Sequence, residues 1–296
     1  MKIGFIGLGR MGYNMVLNLL DNKQEVVAYN RSPEPVKKIA KYGAIPVYSL
    51  EELTKQLPKR KVIWIMVTSS AVDQIIKELL PLLSKQDIII DGGNSFYKDS
   101  IRRYNFLKKK GIHFLDVGTS GGIEGARRNG CLMIGGDKVI FNYIEQIFKA
   151  IAQKEGYGYM GSTGSGHFVK MVHNGIEYGM VAAIDEGFEA LKKYKDKFNI
   201  DLKEVSKVYA HGSIIDGKLT KWLYQSFTTK DYLKNISCVV PKGETEDEMK
   251  ELTKLADMQI LKESIKLREK SRNGLICAQM IAAMRNLWGG HKVNKK

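Results

Sequence analysis

The chain has 296 residues, 44% hydrophobic and 27% charged with 6 prolines, which excludes a disordered, collagenous or coiled-coil protein. Its net charge of +15 raises anionic metabolites or nucleic acid as partners, but the lysines are scattered, as in Lys108-Lys109-Lys110 and Lys192-Lys193, without interleaved aromatics, so no nucleic acid is expected. No window approaches about 20 consecutive apolar residues and no basic stretch leads into a long apolar run, so the protein is expected to be neither secreted nor membrane-spanning.

Along the chain, short apolar runs at 2–7, 25–29, 62–67, 87–91, 113–117 and 131–134 predict strands. Between them the three- and four-residue spacing of apolar positions predicts helices over 12–20, 35–42, 72–83, 100–110 and 139–152. That alternation is the pattern of a parallel sheet flanked by helices. From about Gly161 onward strand-like runs nearly vanish and helical patterns fill the rest. The longest, over 168–193, is apolar or small on most sides from Ile176 to Ile184 and is expected to be a buried central helix. Two domains are expected, 1–161 and 162–296, and the closing 292–296 reads as a frayed basic tail. Cys131, Cys238 and Cys277 are odd in number and far apart, so neighbours in sequence offer no disulfide framework; a reducing, cytoplasmic protein is expected.

The first strand runs straight into Gly7-Leu8-Gly9-Arg10-Met11-Gly12, and a helical pattern follows at once. In that order Gly7 permits the turn, Gly9 lets backbone N–H groups approach a pyrophosphate, and Gly12 allows close packing of a helix whose N-terminus attracts the anion. The fold class is therefore an α/β Rossmann-like dinucleotide-binding domain followed by an all-α C-terminal domain. An acidic residue at the end of the second strand would accept from a ribose 2′-OH, whereas this chain has Asn30-Arg31-Ser32. Arg31 can stack on adenine and pair with a 2′-phosphate, with Asn30 and Ser32 donating to it, so NADP is preferred and NAD is possible. Val67 and Thr68 close another strand and are expected to line the cofactor crevice.

In a helix starting near Gly164, Lys170, Asn174 and Glu177 stand at i, i+4 and i+7 on one face, with His173 beside them. Three hydrogen-bonding or ionisable groups on one stripe of an otherwise apolar helix are costly to bury unless they serve one another or a ligand. The segment GSGHFVKMVHNGIEYG that carries them resembles the signature of 6-phosphogluconate dehydrogenases, the decarboxylating family, in its short form. GLGRMG at 7–12, DGGNS at 91–95, GTSGGIEGA at 118–126 and the Arg285-Asn286-Leu287-Trp288-Gly289-Gly290-His291 tail are also similar to that family. Sister enzymes oxidising 3-hydroxyisobutyrate-type β-hydroxyacids share the fold and the Lys–Asn pair, and form the alternative. His173-Asn174 with Glu177-Tyr178 favours the decarboxylating family, because decarboxylation needs a second proton donor.

The resemblance implies oxidation of 6-phospho-D-gluconate to ribulose 5-phosphate and CO2, with hydride transfer to the nicotinamide. Lys170 would be the general base, neutral before chemistry, and Glu177 the general acid. Asn174 and His173 would hold hydroxyls, and Tyr178 would reach the phosphate. Ser120, Gly121 and Gly122 would bind the carboxylate, and Asn94 would contact both nicotinamide and substrate. Arg285 and His291 would bind the phosphate from a neighbouring subunit, implying a homodimer or a dimer of dimers. Where the family pattern calls for an arginine, this chain has Asp216. No metal is implied, since the five histidines show no ligand spacing with acids or cysteines.

Overall fold

Strands that are apolar at nearly every position need cover on both faces. The computed structural model, which describes residues 1–243, 245–291 and 293, provides it. The chain divides into two compact units, Met1–Lys170 and Met171–Lys296. In the first, strands and helices alternate as β1 (Lys2–Ile6), α1 (Arg10–Asp21), β2 (Glu25–Tyr29), α2 (Pro33–Ala40), β3 (Ile45–Pro46), α3 (Leu50–Gln56), β4 (Val62–Ile65) and α4 (Ser69–Leu79). They continue as β5 (Ile88–Asp91), α5 (Tyr97–Lys108), β6 (His113–Ser120), α6 (Gly122–Glu124), β7 (Gly130–Gly136), α7 (Lys138–Ile151) and β8 (Ala152–Gly161).

The strands form one sheet in the order β3-β2-β1-β4-β5-β6-β7-β8, parallel from β3 through β6. Ile3, Phe5 and Trp64 pack on one face with Phe148 of α7, while Ile6, Ile63, Ile65 and Ile89 pack on the other with Leu53, Val72 and Leu107 of α3, α4 and α5. This is the expected Rossmann-like α/β layer. The structure departs from the expected parallel pattern at β7, which pairs antiparallel with β6. A parallel crossover needs a dozen or more residues, and only α6 and one π-helical turn (Gly125–Asn129) link these two strands. Sequence reading passed over β3, α3 and β8. β3 is two residues long and ends in proline, and β8 contains Lys154, Glu155 and three glycines without two-residue alternation.

α8 (Ser165–Phe198) begins in the first unit and runs on as the first helix of the second, longer at both ends than the periodicity suggested. It is followed by α9 (Leu202–Tyr209), α10 (Lys218–Thr228), α11 (Glu246–Leu255), α12 (Gln259–Arg272) and α13 (Gln279–Gly289), the helical C-terminal region expected. Their core holds Val181 and Phe188 of α8, Leu223 of α10, and Met280, Ile281 and Met284 of α13. No helix among the described residues is long and apolar enough to cross a membrane. Positions 292 and 294–296 of the expected basic tail lie outside the described residues.

The reading of the cysteines as thiols is corrected here, because Cys238 and Cys277 form a disulfide across 39 residues that does not involve Cys131. Folding brings together two residues that no spacing rule could pair, and this removes the cysteine-based argument for a reducing compartment.

One buried carboxylate ties α8 to α13. Asp185 accepts the backbone N–H groups of Met280 and Ile281, at 3.0 and 3.3 Å, in the first turn of α13. Burial pushes its pKa up to about 7, despite those two hydrogen bonds, with Glu189 and Glu186 adding to the rise. A carboxyl raised in the folded state contributes stability that is complete below its unfolded pKa near 3.9 and is lost as pH rises through 7. We therefore expect the melting temperature to fall between pH 5 and pH 8. Asp185→Asn, which keeps the acceptor oxygen and cannot ionise, is expected to flatten that decline. Parallel melting profiles for the two proteins would remove Asp185 as the cause.

Candidate active site

A strand-to-helix turn becomes a dinucleotide cradle when its backbone can approach a ligand and its N–H groups stay open. Gly7 has φ of 101°, and a side chain there would meet the Met66 carbonyl oxygen at 2.3 Å. A Cβ on Gly12 would lie 2.0 Å from the Gly7 carbonyl oxygen, so α1 packs directly on the turn. No side chain caps α1 and its first turn carries no acid, which leaves the N-terminal N–H groups to an anion. Asn30 fastens the turn to β2, its Oδ1 accepting from the Leu8 N–H at 2.9 Å while its Nδ2 donates to the Ser32 carbonyl at 3.1 Å. Arg31 and Ser32 lie exposed beyond it. Beside the turn a cleft of about 330 Å³ is lined by Leu8, Gly9, Arg10, Tyr13 and Asn14 with Pro35 and Lys38 of α2. Buried Leu8 and half-buried Met11 complete the segment. These features fit a dinucleotide pyrophosphate, with two cations beside the cleft.

At the carboxyl ends of β4 and β5, a side chain on Gly93 would lie 2.8 Å from the Val67 carbonyl oxygen, so the two strand ends run close together. Thr68 stands exposed at the start of α4. The Asp91-Gly92-Gly93-Asn94-Ser95 loop is held by a charge network that the sequence did not reveal. Arg103 of α5, 3% exposed, donates to Asp91 at 2.9 Å, to Ser95 at 3.0 Å and to Asp73 at 2.7 Å. Asp91 also accepts from the Ser95 hydroxyl and the Gly93 N–H, which leaves half-buried Asn94 on a fixed loop.

The start of α8 is fixed just as firmly. Asp116 of β6, fully buried, accepts the N–H groups of Gly164 and His167 at 2.7 and 2.9 Å. His167 bridges the Gly93 carbonyl, 3.1 Å from Nε2, and the Ser100 hydroxyl, 2.7 Å from Nδ1. The carbonyl can only accept, so in the neutral ring Nε2 carries the proton and Nδ1 receives the hydroxyl. One turn later comes Lys170, packed so tightly on β6 that a side chain on Gly118 would lie 2.4 Å from its Cβ. Gly118 is two residues before Ser120, and Gly121 and Gly122 follow with φ of 114° and 65°, in the left-handed region that glycine favours. The first unit thus brings Lys170 beside the strand that ends at Ser120.

In the second unit α8 carries Asn174, buried, and His173, whose Nδ1 lies 3.4 Å from the Asn174 Oδ1 and 4.0 Å from the Glu177 carboxylate. Tyr178 follows, its hydroxyl 3.3 Å from that of Thr245. A residue the sequence reading passed over stacks on it, since Arg268 of α12 places its guanidinium 3.6 Å from the Tyr178 ring centroid. Arg268 is 2% exposed and its Nε has no hydrogen-bond partner among the described residues. Burial pushes its pKa down to about 10; Arg285 acts in the same direction, while Tyr178, Glu177 and Glu246 oppose it. Arg285 of α13 is also buried, donates to the Pro241 carbonyl at 2.8 Å, and is likewise lowered by burial against the pull of Tyr178, Glu246 and Glu177. Two desolvated guanidinium groups in the field of one tyrosine are groups that could hold an anion. On lysine-rich α12, Arg268 stands i+7 from Leu261 and i+3 from Ile265, on the buried face of the helix, where its residue type alone reads as surface. His291 lies exposed past α13, its carbonyl accepting from Asn286. Asp216, where the resemblance calls for an arginine, sits on an exposed turn, accepting from the Gly212 N–H and pairing with Lys221, both at 3.2 Å. Those two partners hold its carboxyl below the usual range.

The chain matches the family model described as the NAD binding domain of 6-phosphogluconate dehydrogenase over residues 2–175, and that of the family's C-terminal domain over residues 166–197. The Bacillus subtilis protein YqeC, named only as a candidate 6-phosphogluconate dehydrogenase, is 41% identical over 303 positions that span both chains completely. A Haloferax volcanii protein named 6-phosphogluconate dehydrogenase, NAD(+)-dependent, decarboxylating, is 41% identical over 229 residues, 77% of this chain and 75% of that one. Among solved structures, Plasmodium falciparum 6-phosphogluconate dehydrogenase superposes with a TM-score of 0.83 at 29% identity, over 93% of this chain and 62% of that longer one. The glycine cradle, the Lys170 stripe and identity along the whole length lead to one assignment: this chain belongs to the 6-phosphogluconate dehydrogenase family of oxidoreductases and carries that family's NAD-binding domain.

Proposed function

We infer that the protein oxidises 6-phospho-D-gluconate and decarboxylates the product to ribulose 5-phosphate, using NADP or NAD. The observation that carries this reading is the stripe of Lys170, Asn174 and Glu177 on one helix, its first member packed against the strand that leads to Ser120-Gly121-Gly122. A nicotinamide held at the 7–12 turn would supply the acceptor for a hydride from C3. The Lys170 Nζ takes the C3 hydroxyl proton, so that the C–H electron pair can leave as hydride and a 3-keto acid results. Returning the proton to the C3 oxygen as the C1–C2 bond breaks, Lys170 lets CO2 depart and an enediol form. Glu177 then delivers a proton to the carbon that lost CO2. Asn174 and His173 orient hydroxyls, and Ser120 with the N–H groups of Gly121 and Gly122 holds the carboxylate. Arg268, Arg285 and Tyr178 bind the phosphate, so the arginine absent at Asp216 is not required.

Arg31, exposed at the end of β2 with no acid beside it, supports NADP over NAD. The test follows reduced nicotinamide by absorbance with 6-phosphogluconate and either cofactor, with CO2 measured in the same sample. Reduction with matching CO2 is expected, faster with NADP. No reduction with 6-phosphogluconate, but reduction with a non-phosphorylated β-hydroxyacid, would replace this reading with the 3-hydroxyisobutyrate-type alternative.

A further inference from the structure

We propose that His167 is the positioning residue of the hydride-transfer step, the side chain that fixes the base Lys170 relative to the loop carrying Asn94. The proposal rests on the reading of Lys170 as the base and of Asn94 as a contact to nicotinamide and substrate.

Three elements that supply or support site residues meet on His167, all within the first unit. Its backbone N–H donates at 2.9 Å to Asp116 of β6, the strand that ends at Ser120. Its Nε2 lies 3.1 Å from the Gly93 carbonyl oxygen just beyond β5, and its Nδ1 lies 2.7 Å from the hydroxyl of Ser100 on α5. Lys170 follows one turn later on α8, and three residues of helix advance only about 4.5 Å. His167 is 2% exposed and Ser100 is fully buried, so water does not compete for either bond.

The bond to Gly93 acts directly on Asn94. A carbonyl and the nitrogen of the next residue share one rigid plane, so holding the Gly93 oxygen holds the Asn94 nitrogen with it. On its other side the Gly93 N–H donates to Asp91 at 3.2 Å. Ser100 sets the direction of the bond: its hydroxyl donates to Nδ1, which leaves the ring proton on Nε2, the atom facing the carbonyl. Ser100 and Arg103 stand one turn apart on α5, both buried. The helix that clamps Asp91 and Ser95 through Arg103 therefore also sets the tautomer of His167. Misplacing reacting groups by about 1 Å costs roughly 10²-fold in rate, and that is the tolerance this junction has to hold.

Two amide variants separate positioning from packing. Glutamine places its NH2 group near the position of Nε2 and can donate to Gly93, whereas asparagine reaches only as far as Nδ1. His167→Gln is expected to keep kcat within about threefold of wild type, and His167→Asn to lower it about 10²-fold. In both, KM for 6-phosphogluconate and the dissociation constant for NADP are expected to stay within about threefold, because Arg103 still clamps the loop. With substrate deuterated at C3, the isotope effect on kcat is expected to rise in His167→Asn, as hydride transfer comes to limit turnover. Wild-type kcat and isotope effect in His167→Asn would overturn the proposal, as would equal losses in the two variants, which packing alone produces. Should His167→Asn fail to fold, Ser100→Ala takes its place. It removes the donor to Nδ1 and is expected to lower kcat about fivefold with the same rise in isotope effect, and an unchanged kcat there would equally overturn the proposal. A wild-type protein inert toward 6-phosphogluconate fails the substrate reading instead; the same variants are then compared on whichever β-hydroxyacid the wild type oxidises, deuterated at its carbinol carbon.

Discussion

Replacing Lys170 by methionine is expected to lower kcat by about 10³-fold or more while leaving the dissociation constant for NADP within about threefold of wild type. The size follows from the two proton transfers assigned to one amine, each of the kind that contributes roughly 10²–10⁴-fold. Selectivity follows from position. The cofactor cradle is built by Gly7, Gly9, Gly12 and Asn30, and none of these depends on the lysine head group. Methionine keeps the Cβ and Cγ that pack on Gly118, so the Asp116 and His167 anchors of α8 stay in place. Single-turnover absorbance gives the chemical step and a fluorescence titration gives the affinity. A variant retaining more than about a tenth of wild-type kcat would show that the base is another group.

The largest loss of stability is expected at Arg103, which no reaction step uses. Arg103→Met leaves Asp91 a buried carboxylate without its ion partner, and breaking a buried pair from one side costs about 3–5 kcal/mol. For a unit of this size the melting temperature is expected to fall by roughly 10 °C. Loss of the clamp on the loop carrying Asn94 is also expected to raise KM, for substrate or cofactor, more than it lowers kcat. Pairing it with Asp91→Asn, which removes the stranded charge, is expected to restore part of the melting temperature. No restoration would mean that Arg103 acts through packing alone.

What the sequence disclosed depended on how local the cause was. The β1 turn was legible because Gly7, Gly9 and Gly12 act within six residues, and the Lys170 stripe because helical periodicity alone sets its spacing. Asp116, Arg103 and Arg268 were not legible. Each is an ordinary charged residue in its own segment, and its meaning lies in a partner far along the chain, such as Gly164 for Asp116 or Tyr178 for Arg268. The reversal at β7 was hidden for a similar reason: an apolar run announces a strand without its direction, which depends on the length of the preceding link. The Cys238–Cys277 bond joins the same group, as a contact made only when α13 seats.

That bond closes a loop of 39 residues, and the loss of loop freedom in the unfolded chain corresponds to about 4 kcal/mol, close to a thousandfold in the unfolded fraction. The helical unit thus has two resistances to denaturation, one for each redox form. Its shelf life, its sensitivity to proteases and the reading of any melting curve depend on whether reductant was present during handling. A preparation in thiol buffer and one without it are, for this unit, different materials.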